Sequence, residues 1–374
     1  MTLWLIILWT VMGLLGLSAV YIGFRMPKFL SPETVSEWSK IKFFLAGGWC
    51  VICLTGLITL CLDFVNAVVC VIYLALIWMI SDTAFYLIQK FFHFSFQHYY
   101  AGYTAIVVWL LMLSTGWYLN HHVWATHYTL TTDKNVSPLK IALFADAHLG
   151  TTFGAEGFAK HLKKLQNQKP DLVIVAGDYA DDNTTREEMV KATQALGQIK
   201  TKYGIFFVFG NHDKGYFGAA YRGFSGSDLI NELQKNGITV LQDEVVSVGD
   251  DFYLIGRRDV SEIREKKGHR QSMDELVANL DKNKYLIVAD HQPTDYKNQA
   301  KSGVDLVLSG HTHGGQLWPL NQVGKWIGAN DLIYGHKKHQ QTNFIVTSGI
   351  SCWAIQFKTG TKSEFVIIHI QKSK

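Results

Sequence analysis

The stretch SGHTHGGQLWP, residues 309–319, sets His311 and His313 one residue apart, between Gly310 and the pair Gly314–Gly315, with Trp318 following. Glycines on both sides let the backbone turn until two imidazoles converge, and converging imidazoles suggest a metal ion. Other candidate ligands occur in order along the chain: Asp146 and His148 in ADAHLG, Asp178 in AGDYADD, Asn211, His212 and Asp213 in GNHDKG, and His291 in ADHQP. A D-x-H, a G-D, a G-N-H-D, a later histidine and a G-H-x-H supply enough donors for two ions. His311 and His313 can then serve different ions, and Asp178 is the natural bridge. No thiolate takes part, which disfavours a closed structural zinc site. Mixed oxygen and nitrogen donors suit two divalent ions of Mn, Fe or Zn, with manganese first among them.

These residues need a scaffold. From Leu139 onward, short apolar runs such as LKIALF, DLVIVA, GIFFVF, KYLIVA and VDLVLS alternate with helical stretches. Runs of this kind predict strands of an α/β sheet buried on both faces. The polar residues fall at the C-terminal ends of the strands, where open α/β sheets place their sites. A catalytic domain is therefore expected over 139–374.

The first 120 residues are of another kind. Residues 3–24, 43–62, a stretch from Phe64 and residues 101–119 are apolar and nearly uncharged. A helix of ~20 such residues crosses a ~30 Å hydrocarbon core, so four membrane spans are expected, the pair around Asp63 having a re-entrant alternative. Asp82 should face protein or the interface rather than lipid. Arg25, Lys28, Lys40, Lys42 and Lys90 occupy two of the short loops, while the Asp63 turn has no basic residue. This bias makes those loops cytoplasmic and places everything after the fourth span outside, in a multi-pass cell-membrane protein with an extracytoplasmic domain. Residues 121–138 end in TTDKNVSP and read as a linker. Cys50 and Cys53 lie in an apolar run and read as buried thiols. Only Cys352 of the five cysteines lies beyond residue 130, which excludes a disulfide framework there. The net charge of +4 is scattered, without the basic stripe that specific nucleic-acid binding needs. Oligomeric state is not legible.

The ordered set resembles the calcineurin-like metallophosphoesterase superfamily over roughly 139–374. GNHDKG and GHTHGGQ are most similar to its bacterial branch with membrane-anchored members. The resemblance implies a two-sheet sandwich flanked by helices, preceded here by the helical membrane region. It implies one ion on Asp146, His148, Asp178 and His313, and another on Asp178, Asn211, His291 and His311. His212 would be the catalytic histidine near the leaving group, with Asp213 as its orienting partner. Asp290 departs from the apolar or small residue expected before His291; it either tunes that histidine or faces away. The implied reaction is phosphoester hydrolysis, with two ions ~3.5–4 Å apart neutralising the phosphate oxygens and holding a hydroxide for in-line attack.

Arg257 and Arg258 are candidates for a further anionic group of the substrate, against a surface pairing with Asp259. Tyr216, with Phe217, Tyr221 and Phe224, is a candidate cap on the pocket. Trp318 and Trp326 are either core or a lip that touches lipid. The expected function is a membrane-anchored hydrolase of a lipid or lipid-linked phosphate at the outer face. A phosphodiesterase of soluble nucleotides or other small esters, with the spans as tether, is the second reading. A non-catalytic membrane sensor or scaffold is the third.

Overall fold

The computed structural model describes residues 2–30, 38–264 and 268–373. Residues 31–37, in the first of the loops used to orient the spans, lie outside the described residues. The chain forms two compact units, Met1–Gly116 and Trp117–Lys374.

The first unit consists of α1 (Thr2–Arg25), a short 3₁₀ turn (Met26–Phe29), α2 (Lys40–Cys61), α3 (Phe64–Phe92) and most of α4 (Tyr100–His121). Four helices here are long and apolar enough to cross a membrane. The apolar stretch around Asp63 forms two helices of 22 and 29 residues, and Asp63 caps the second by accepting from Asn66 N at 2.8 Å. Small residues bring α1 and α2 together, since a Cβ on Gly47 would lie 2.0 Å from the Gly23 carbonyl oxygen. Helix α3 is the central one, with Ala67, Cys70, Val71, Leu74 and Trp78 buried. Cys50 and Cys53, expected to be buried, are exposed on α2; they lie on its outward face, where a lipid-facing thiol needs no partner.

The second unit holds β1 (Val123–Thr132), β2 (Leu139–Phe144), β3 (Leu172–Ala176), β4 (Ile205–Val208), β5 (Ile238–Leu241), β6 (Glu244–Val248), β7 (Phe252–Gly256), β8 (Tyr285–Ala289), β9 (Leu306–Ser309), β10 (Gly335–His339), β11 (Thr342–Val346) and β12 (Ser363–Lys372). They form two six-stranded sheets, ordered β1-β12-β2-β3-β4-β5 and β10-β11-β9-β8-β7-β6. Strands β2 to β5 are mutually parallel, as are β11, β9, β8 and β7. Period-two alternation divides each strand between two cores. Ile141, Leu143, Ile174, Leu254, Ile287 and Leu308 fill the space between the sheets. Phe144, Val173 and Val175 point the other way, onto α5 (Ala155–Gln166), α6 (Arg186–Gly197) and α7 (Gly226–Lys235). Leu286, Val288 and Phe344 do the same on the far sheet. Each fully buried side chain of this kind stabilises the fold by ~1.5–3 kcal/mol relative to exposure.

The linker reading of 121–138 is corrected. Residues 123–132 form the edge strand β1, parallel to β12 from the Val123–Ser363 pair to the Thr132–Lys372 pair. The sequence VWATHYTLTT hid it because the strand is half-exposed. Its identity depends on a partner some 240 residues later (363 against 123).

Candidate metal centre

The expected ligands stand on loops that leave the ends of parallel strands: Asp146 and His148 after β2, Asp178 after β3, Asn211 to Asp213 after β4, His291 after β8, His311 and His313 after β9. Two donor groups result, Asp146–His148–His313 and Asp178–His291–His311, the ligating atoms within each lying within 4.8 Å of one another. The backbone is bent to achieve this. Asp146, His148, Asp178, His311 and His313 have φ of 56°, 37°, 50°, 72° and 49°. L-residues with side chains rarely occupy this left-handed region, and such strain clusters at functional sites. The glycines between the motifs provide the room. A Cβ on Gly310 would meet Asp146 Oδ2 at 2.7 Å and Ala145 Cβ at 2.4 Å.

Four of the proposed ligands are oriented from behind. His148 Nδ1 is 3.2 Å from Asp181 Oδ2, His291 Nδ1 is 2.7 Å from the Ala176 carbonyl, and His313 Nδ1 is 3.4 Å from the Ser351 carbonyl. These contacts leave Nε2 of each ring for a metal, the usual arrangement behind histidine ligands. Asn211 Nδ2 donates to Tyr216 Oη at 3.0 Å, which turns Oδ1 of that amide inward. His148 Nε2 and Asn211 Oδ1 are buried with no hydrogen-bond partner among the described residues. Such orphaned atoms are costly unless something else engages them. The donor set and the orphaned atoms both fit two divalent cations.

The histidines of the two groups differ in protonation tendency. Burial and then the neighbouring His291 push the His311 imidazole down to about 4. Burial and then His148 hold His313 well below its ordinary value. Both are therefore neutral at pH 7, the form that ligates. Burial disfavours charge on His291, but Asp178 outweighs it and raises that histidine well above its ordinary value. Asp178 Oδ2 lies 3.1 Å from His291 Nε2 and 3.7 Å from His148 Nε2, one from each donor group.

The ring of His212 lies 5.1 Å from that of His148 and 5.1 Å from that of Tyr216, centroid to centroid. Asp213 is not its orienting partner. The Asp213 carboxylate accepts from the backbone N–H groups of Asp178, Tyr179, Ala180 and Gly210 at 2.7–2.9 Å. It thus ties the β3 and β4 loops together, and no hydrogen bond joins it to the His212 ring among the described residues.

Arg257 and Arg258 do not join the site. Arg257 is buried, with Nη1 3.1 Å from Asp290 and 3.2 Å from Asp295. Asp290 also pairs with Arg270 and accepts from Gln299. The unexpected acid before His291 therefore faces away, as the counterion of two interior guanidiniums. Arg258 lies along the Gln242–Asp243 turn, and Asp259 accepts from Gln292 and Ser261 instead of pairing at the surface.

Of the aromatic candidates, Phe224 is buried, whereas Tyr216, Phe217, Tyr221, Trp318 and Trp326 are exposed. Asp182 holds the Tyr216–Phe217 loop by accepting from both backbone N–H groups. Two participants escaped the sequence reading. Asp181 could have been noticed as a further acid in GDYADD. Trp353, whose ring is 5.4 Å from His212, arrives from the loop before β12 and carries no local signal.

A two-sheet sandwich with paired donor groups at its strand tips defines a metal-dependent hydrolase scaffold. Residues 139–315 match the family model described as calcineurin-like phosphoesterase. An uncharacterized metallophosphoesterase of Aquifex aeolicus is 34% identical over 195 residues, 51% of this chain and 70% of that one. A Helicobacter pylori protein of the same description is 31% identical over 241 residues, 64% of this chain and 61% of its own. A bovine transmembrane protein with metallophosphoesterase domain is 27% identical over 250 residues, 63% of this chain and 54% of its own. The chain thus spans 61% and 54% of the length of the last two relatives. The chain belongs to the calcineurin-like phosphoesterase family.

Proposed function

We propose that the chain is a membrane-anchored phosphoesterase that uses two divalent ions, and that its substrate is a lipid or lipid-linked phosphate met at the outer face of the membrane. The observation that carries the chemistry is the pair of buried donor groups with Asp178 between them. Asp146, His148, Asp178 and His313 would hold one ion, and Asp178, Asn211, His291 and His311 the other. When bound, the ions supply Lewis-acid neutralisation of the phosphate oxygens. The protein's own part is positional. Asp181, the Ala176 and Ser351 carbonyls and Tyr216 fix the donors. His212 is half-buried, and its ring nitrogens make no hydrogen bond among the described residues. Burial lowers its pKa. It is the group left to hand a proton to the leaving oxygen, a service worth ~10²–10⁴-fold.

The lipid reading draws support from the loop after His313. Trp318, Leu320, Trp326 and Ile327 are 54, 63, 73 and 69% exposed, which fits a lip better than core. Exposed Trp suits the headgroup zone. The purified full-length protein is expected to hydrolyse a phospholipid or polyprenyl phosphate in mixed micelles faster than a short-chain soluble analogue. Chelator should abolish both rates, and Mn²⁺ should restore them. Double replacement of Trp318 and Trp326 by Ser should lower the lipid rate several-fold and spare a small chromogenic ester. Equal parent rates on lipid and analogue would favour the soluble-ester reading with the spans as tether. No metal-dependent turnover on any ester would favour the sensor or scaffold.

The outward orientation rests on the charge bias of the loops. Alkaline phosphatase fused to the C-terminus should be active, and a cytoplasmic fluorescent reporter at the same point dark. The reverse pair of results would move the substrate to the cytoplasmic side.

A further inference from the structure

Within the first unit, a cavity of about 430 Å³ opens where the end of α1, the second half of α3 and the start of α4 meet. Arg25, Lys28, Asp82, Gln89, His98 and Tyr99 contribute to its wall. An ionisable residue within an apolar span is retained against a desolvation cost and needs a partner or a task. Asp82 already has its partners. Its Oδ2 accepts from Tyr21 Oη at 2.6 Å and lies 2.7 Å from Arg25 Nε, and its Oδ1 accepts from Tyr99 Oη at 2.7 Å. Trp78 Nε1 donates in turn to Tyr99 Oη at 2.7 Å. Among the described residues, the one carboxylate on the wall is therefore already engaged.

The cationic side is not saturated. Lys28 is exposed, its Nζ 5.1 Å from the centre of the Tyr99 ring, and it has no carboxylate within ion-pair distance among the described residues. Arg25 is held by Asp82 through Nε at 2.7 Å and lies over the Tyr21 ring, 5.0 Å from its centre, while its side chain lines the cavity. Gln89 and His98 add further polar side chains to the wall. Among the described residues, two cations face one acid that is already paired, which leaves a positive wall. Phe85 and Phe96 flank it with apolar surface. Basic pockets between spans, at the end where the basic loops lie, suit anionic headgroups.

We propose that this cavity binds a phosphate-bearing anion, either the headgroup of an acidic lipid or a soluble phosphorylated molecule, through Arg25 and Lys28. The site is separate from the metal centre and does not depend on the hydrolytic reading.

The test uses the full chain in neutral detergent with chelator present, so that hydrolysis does not consume the probe. Binding of a fluorescent phosphatidylglycerol is measured with unlabelled competitors. Phosphatidylglycerol should displace it, while diacylglycerol and phosphatidylcholine should be at least tenfold weaker, the first lacking phosphate and the second bringing a cation to Arg25 and Lys28. Lys28→Gln should weaken binding about tenfold, the loss of one charge-assisted hydrogen bond, and Lys28→Glu more. Lys28 is exposed and carries no ion pair among the described residues, so these variants should fold. Arg25→Gln combined with Asp82→Asn removes the paired charges together and should weaken binding without stranding the acid. Direct binding of radiolabelled inorganic phosphate, lost in Lys28→Glu, would identify the soluble source. Its absence alongside selective lipid binding would identify the headgroup. Unchanged affinity in Lys28→Glu for both probes, or equal competition by diacylglycerol, would overturn the proposal.

Discussion

Asp178→Ala is expected to lose both ions and to reduce turnover by at least a thousandfold, whereas His212→Ala should keep both ions and lose ~10²–10⁴-fold in rate. The asymmetry follows from position. Asp178 Oδ2 is the oxygen that faces a histidine of each donor group, and its Oδ1 accepts from His212 N at 2.9 Å. On the proposed assignment, removing the carboxylate would subtract a ligand from two ions at once and remove the acceptor of the His212 backbone N–H. His212 stands beside the donors without any ring contact that would make it one. Metal content by mass spectrometry, measured beside the rate for each variant, checks the assignment. Equal metal loss in the two variants would reject it, and so would full metal retention in Asp178→Ala.

Asp290→Ala should destabilise the second unit by ~3–5 kcal/mol, enough to lower its melting temperature by roughly 10 °C. The carboxylate is fully buried between Arg257 and Arg270, and Gln299 donates to it at 2.8 Å. Arg257 keeps Asp295 as a second partner. Arg270 has no other carboxylate within ion-pair distance among the described residues. Deleting the shared acid therefore leaves a guanidinium in the interior without its counterion, which costs far more than the pair contributes when intact. Arg258→Ala is the matched control. That side chain is 40% exposed and pairs loosely with Asp243 at 3.8 Å, so its loss should stay within ~0.5 kcal/mol. Thermal unfolding of the full-length chain followed by near-ultraviolet circular dichroism compares the two. Matching melting temperatures for the parent and Asp290→Ala would show that this network is not what holds the His291 loop.

The donor set was legible because metal ligation leaves a local signature. D-x-H, G-D, G-N-H-D and G-H-x-H each combine a ligand with the small residue that lets the backbone turn, and each follows a β-branched apolar run that reads as a strand. The four long apolar helices were legible for the same reason, since length and apolarity are properties of contiguous residues. Features that depend on distant partners were not. Strand β1 is rich in β-branched and aromatic residues but half-exposed, and its place in the sheet is set by the ten-residue register with β12. Arg257 follows a strand end just as the ligands do, so its sequence context suggested a substrate contact. Folding turned it inward onto Asp290 and Asp295, because an interior acid requires a cation more than a surface arginine requires a ligand. Asp213 stands next to His212, yet its carboxylate is claimed by four backbone amides of two different loops. Trp353 reaches His212 from a loop some 140 residues away (353 against 212). The sequence by itself determined which residues can hold metal and which segments can cross a membrane. The tertiary structure decided which charges face the site and which neutralise one another, because desolvation is set by packing among residues remote in the chain.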